Sequence, residues 1–106
     1  MVNPHAGEVA LWMDGQRHVV KLTLGALAEL EAAMEADCLI SLVERFEAGR
    51  FSARDVLAVL AAGLRGGGWR GEANGLRNAE IRGGPMEAAR VAAQALARAF
   101  AVQGSL

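Results

Sequence analysis

Tyrosine is missing from this 106-residue chain, and three phenylalanines and two tryptophans bring aromatics to only 5%. With so few large anchors the core has to be closed by intimate packing of Ala, Leu and Val, and Ala and Leu in particular favour helix. The single cysteine, Cys38, excludes an internal disulfide and a thiolate metal cage built within one chain. A reducing compartment, the cytosol, is the expectation. No apolar run approaches the ~20 residues a membrane span needs. The N-terminus lacks the basic start of a signal peptide, and Glu8, Asp14 and Arg17 interrupt the nearest hydrophobic segment. No membrane is therefore expected as a partner. Neither sign of charge is in excess, with 11 Lys and Arg against 12 Asp and Glu. A sequence pI of about 6.1 gives no long-range field to gather polyanions, so nucleic acid is not expected as the main partner.

What is present is apolar and short-range. Hydrophobic residues make up 53% of the chain and charged ones 22%, which suits one domain over residues 1–106 that buries roughly two thirds of its unfolded surface. The expected class is α+β and mostly helical, an N-terminal two-stranded β-hairpin packed on a bundle of four to five helices.

The hairpin, over about 8–22, is announced by Asp14-Gly15, a dipeptide suited to a two-residue type I′ turn because both central positions need positive φ. Setting Met13 opposite Gln16 pairs Trp12 with Arg17, Leu11 with His18, Val9 with Val20 and Glu8 with Lys21. One face then carries Val9, Leu11, Val20 and Leu22 and should pack on helices. The other carries the opposite charges of Glu8 and Lys21 and a Trp12 to Arg17 stacking contact.

Helices are expected at about 24–36, 39–48, 52–65 and 85–102, with a weaker one at 76–82. The stretch from Ser52 to Gly66 organises the rest: Val56 to Leu64 contains only Val, Leu, Ala and one Gly, so its apolar surface reaches most of the way around. Ser52 followed by Asp55 forms a capping box with Asp in place of Glu. Thr23 caps the first helix, whose Leu24, Leu27, Leu30 and Met34 should face inward while Glu29, Ala32 and Glu35 face out. In the second, Leu39, Leu42, Val43 and Phe46 face inward, and Gly49 supplies its left-handed end. Phe51 stands like a hydrophobic staple before the Ser52 cap and should pack near Val56. The glycine-rich segment 66–75 breaks all periodicity and reads as a flexible loop. After Gly83-Gly84-Pro85, the last helix repeats Met86, Ala89, Ala93, Leu96 and Phe100 inward, against Glu87, Arg90, Gln94 and Arg98 outward.

No motif in the chain carries chemistry. Arg65 to Gly71 lacks the Lys and Ser/Thr that complete a phosphate-binding P-loop, and RNA-binding RGG tracts come in multiples. His5 lies in an irregular lead-in and His18 opposite Leu11, with no nucleophile and acid arranged around either. Glu29, Glu31 and Glu35 have no histidine three residues on and read as a solvated face. No catalytic, cofactor-binding or metal-ligating residue is expected. Trp12 and Trp69 are the large apolar side chains without an assigned home; Trp69, in a polar loop, either folds back onto the domain or waits for a partner. Trp12, Arg17 and Trp69 are therefore the candidate partner-binding residues.

Several stretches together resemble the small proteins encoded in the tail module of gene transfer agents, domesticated phage-like particles of bacteria. These stretches are Gly7-Glu8-Val9, Asp14-Gly15, Leu24 with the run Ala26 to Glu31, and the Arg50-Phe51-Ser52-Ala53-Arg54-Asp55 entry into the central helix. The resemblance runs from about Asn3 to Gly66, and the final helix fits it. These proteins are grouped with phage tail assembly chaperones, and some carry the label of tail tube protein. The resemblance implies a non-enzymatic assembly factor of the bacterial cytoplasm that binds the long helical tape measure protein, the tail tube protein, or both, during tail assembly. It implies no cofactor. The alternative expectation is a structural tail component, tube or minor, and the next a small nucleic-acid-binding regulator.

Overall fold

The computed structural model describes residues 7–34 and 38–104. The lead-in with His5, the end of the first expected helix at 35–36 and Asp37 lie outside them. The elements are β1 (Glu8–Met13), β2 (Gln16–Lys21), α1 (Leu24–Ala33), α2 (Leu39–Glu47), α3 (Ala53–Gly66), α4 (Ala73–Arg77) and α5 (Gly84–Gly104). An antiparallel hairpin thus packs against five helices, the expected class.

Asp14 at φ 52° and Gly15 at φ 78° make the turn, and the ladder runs from Glu8 opposite Lys21 to Met13 opposite Gln16 in the expected register. Val9, Leu11, Val20 and Leu22 are buried as the alternation requires, and Met13 joins them. Neither long edge of the hairpin is left bare. Beside β1, residues 80–82 add an antiparallel step: Asp14 N–H donates to the Glu80 carbonyl (2.8 Å), Arg82 N–H to the Trp12 carbonyl (3.0 Å), and Ile81 bridges Met13. The Asp14 carboxylate also accepts from Glu80 N–H (2.8 Å). The expected helix over 76–82 is accordingly corrected. Its residues divide between the end of α4, which begins earlier at Ala73, and this extended step, because Asn78 leaves the helical region and the β1 edge offers the next segment hydrogen-bond partners.

Beside β2 runs the end of α3. A Cβ on Gly66 would stand 2.0 Å from the Lys21 carbonyl oxygen, and one on Gly67 2.0 Å from that of Val19. Only glycine lets a helix end lie this close to a strand backbone. The helix then closes in a Schellman arrangement: Gly68, at φ 104°, donates its N–H to Arg65 O (3.0 Å), and Trp69 N–H reaches Leu64 O (2.8 Å). The GGGW run, expected as a flexible loop, is instead a helix stop that docks on the sheet. Its tryptophan occupies the position from which a side chain folds back, and Trp69 packs against the core.

The middle of α3 is enclosed, with Val59, Leu60, Ala61, Ala62, Gly63 and Leu64 all buried. Two faces differ from the periodic reading. In α1 the buried residues are Ala26 and Leu30, while Leu24 is 84% exposed. Leu24 sits two residues before Ala26, about 200° around the helix, and Ala26 has to face α3 because its Cβ lies 3.3 Å from where a Gly66 Cβ would be. In α5 the buried face is Ala88, Val91, Ala92, Ala95 and Leu96, and Met86 is 84% exposed. The expected stripe is thus turned by about one residue, toward smaller side chains that let α5 approach α3 closely. Phe51, expected near Val56, stacks on Phe46 with ring centroids 4.6 Å apart and planes 6° from parallel.

Candidate functional site

Among the described residues, none that is polar or charged is buried, and no group of three or more His, Cys, Asp or Glu side chains could hold a metal ion. No helix there is long and apolar enough to cross a membrane. Cys38 is exposed and shares a hydrogen bond with the Ser41 hydroxyl (3.4 Å). The candidate features are therefore surfaces, and the three residues singled out from sequence fall at two places.

Trp12 and Arg17 face each other across the ladder. The cation over the Trp12 ring is Arg82, whose guanidinium carbon lies 4.1 Å from the ring centroid, placed there by the extended step at 80–82. Arg17 is exposed, and Trp12 keeps 36% of its surface in solvent. Trp69 lies elsewhere, half-buried beyond the end of α3, with its ring over Gly71, where a Cβ would stand 2.1 Å from the indole.

Sequence reasoning missed a more open feature, a groove between the N-terminal halves of α3 and α5. Its walls are Val56 and Leu57 on one side and Pro85, Ala88 and Ala89 on the other; Leu76, Ala79 and Ile81 also line it and Phe51 contributes its ring. The groove encloses about 500 Å³, and no acidic side chain lines it. Beyond Phe51 and Ala89 the apolar surface continues to Met86 and Ala93. The signal in the sequence was the surplus around α3, which carries more apolar circumference than its neighbours cover.

The groove's rim is set by capping and ion pairing. Ser52 Oγ accepts from Asp55 N–H (3.1 Å) and the Asp55 carboxylate accepts from Ser52 N–H (2.9 Å), the capping box expected at this position. The same carboxylate accepts a two-pronged contact from Arg45 at 3.2 and 3.1 Å, which ties α2 to the start of α3. Burial raises the Asp55 pKa, but the hydrogen bonds from Arg45 and Ser52 and the Arg45 charge outweigh it, so the carboxyl titrates below the ordinary range. Arg90 is held by Glu87 (2.7 and 2.6 Å) and Gln94 (2.9 Å), and Arg65 by Glu29. Arg54 and Arg77 differ from these, for neither has a carboxylate partner among the described residues.

No curated protein and no solved structure matches the chain. A protein-family profile does, over residues 6–102, and its description is phage tail tube protein, GTA-gp10. That span takes in the hairpin, all five helices but the last residues of α5, and both walls of the groove. The chain belongs to this gene transfer agent tail family.

Proposed function

We propose that this protein is a non-enzymatic assembly factor of a phage-like tail, which binds another tail polypeptide, the tape measure protein or the tail tube protein, while the tail is built. Family membership supports the setting. The observation that carries the role is the groove between α3 and α5: a domain this small has little apolar surface to spare, and here a mainly apolar hollow of about 500 Å³ is left open beside the core. The mechanism is holding. A partner's apolar segment buried in the groove is withdrawn from aggregation until tube subunits displace the chaperone, and the affinity has to stay moderate for that release. Trp12 with Arg82 and Arg17 forms a second, smaller exposed patch suited to a rim contact. No step needs a cofactor, a nucleic acid or a membrane.

A second reading is favoured by the family's description, which names the tail tube. In it the chain is a structural component that stays in the tail. Quantitative mass spectrometry of purified particles separates the two. The assembly-factor reading predicts that the chain is absent from finished particles but needed for soluble tape measure protein on co-expression. Stoichiometric retention in the particle establishes the structural role instead.

A further inference from the structure

The groove between α3 and α5 has a specific shape and a specific charge. Its walls are two helices, and Leu76, Ala79 and Ile81 complete its lining. An extended partner strand would need an open sheet edge, but β1 is met by residues 80–82 at one end and by Arg98, which donates to the Glu8 carbonyl, at the other. Along β2 the glycines of α3 stand against the Lys21 and Val19 carbonyls. Strand addition is thus obstructed, and a trough between two helices is the place where a third helix completes a layer.

Charge narrows the occupant further. Arg77 lines the groove itself. Arg54 lies outside the groove, in the adjoining hollow on the α1 side, which Leu57, Leu76 and Arg77 also line and where Glu29 is held by Arg65. Most other arginines around α3 and α5 are already committed: Arg45 to Asp55, Arg65 to Glu29, Arg90 to Glu87, Arg98 to the β1 end. Arg54 and Arg77 are exposed and have no carboxylate partner among the described residues, and no acid lines the groove to which Arg77 contributes. An apolar floor with Arg77 in its lining, Arg54 in the next hollow, and neither of them ion-paired among the described residues favours an apolar stripe flanked by carboxylates and disfavours one flanked by lysines.

We propose that this groove docks one amphipathic helix of a tail protein, with its apolar stripe between Phe51 and Ile81 and carboxylates on its flank meeting Arg54 and Arg77. The proposal rests on the assembly-factor reading above and adds the chemistry of the segment held. Rim charges set selectivity and the floor sets affinity.

Two synthetic 18-residue peptides test it by calorimetric titration into the full chain: one helix with a Leu stripe at i, i+3, i+4 and i+7 flanked by Glu, and the same stripe flanked by Lys. The Glu peptide binds about tenfold more tightly, and the preference reverses in the double variant R54E/R77E. The conservative double variant R54K/R77K retains it. Ala89→Gln, which fills the groove with a polar chain on a half-buried helix position, weakens both peptides while circular dichroism shows the fold retained. Equal binding of both peptides, still blocked by Ala89→Gln, overturns the charge assignment and leaves the polypeptide-binding reading standing. No binding of either overturns the docking site and that reading together. A concentration-dependent dimer that Ala89→Gln dissociates makes a second copy of the chain the occupant and also overturns the proposal.

Discussion

The two halves of α3 meet opposite fates. Its C-terminal half is covered except at Arg65: Leu60 and Leu64 are buried, Gly63 faces Val20, and Gly66 lies against the Lys21 carbonyl so closely that a methyl group there has no room. Its N-terminal half carries Val56 and Leu57 beside a hollow that α5 only partly fills. One helix therefore serves two ends. The sealed half fixes where the hairpin sits, and the open half is held in place by devices that need no burial of its outer face: the Ser52 to Asp55 box, the Arg45 contact and the Phe46 to Phe51 stack. The difference teaches that an apolar surface can be kept open on a small domain when local capping, rather than coverage, secures the helix that bears it.

Substitutions sharpen this contrast, and the sealed half should yield the largest effects. Leu64→Ala removes a fully buried side chain and should cost about 2–5 kcal/mol in urea unfolding. Gly66→Ala should cost about 1–3 kcal/mol although Ala is the better helix former, since its Cβ meets a strand carbonyl. Gly75→Ala, in α4 with nothing within 4 Å of the added carbon, should be neutral or stabilising by up to ~1 kcal/mol. Observing the same sign for both glycines would break the comparison.

At the open half the effects are smaller and local. Ser52→Ala should cost about 1 kcal/mol through the lost cap. The Asp55 carboxyl, lowered in the folded protein, binds its proton more weakly than in the unfolded chain, so its stabilising contribution is complete above the ordinary aspartate range and is lost as pH falls through the lowered folded value. Urea midpoints measured from pH 6 downward should therefore fall more steeply for the native chain than for Asp55→Asn. Leu24→Ser and Met86→Ser, on the solvent side of α1 and α5, should stay within about 0.5 kcal/mol.

Much of the fold was legible because it is locally encoded. Asp14-Gly15 fixed the turn and, through it, every pair of the ladder; Ser52 and Asp55 fixed the start of α3. Helix rotation was less legible. Leu24 and Met86 fit an apolar period as well as the residues that are buried, and Ala26 and Val91 prevail because close approach to α3 favours small side chains, a demand set by the partner element rather than by the segment. The extended step at 80–82 left no periodic trace, for it exists only where β1 supplies hydrogen bonds about seventy residues away in sequence. The groove was visible only as a surplus of apolar surface on α3. Trp69 stood out as an aromatic among glycines, and the same glycines explain it as the anchor of a helix stop.

The central claim is that the open side of α3 grips another polypeptide while the sealed side holds the fold. Its most direct test is co-expression of the tape measure protein with the native chain or with Ala89→Gln, together with the melting temperature of each purified chain. The account predicts that Ala89→Gln melts within about 4 °C of the native chain, as a change of no more than 0.5 kcal/mol implies, yet leaves the tape measure protein insoluble. A well-folded Ala89→Gln that keeps the tape measure protein in solution as the native chain does would contradict it.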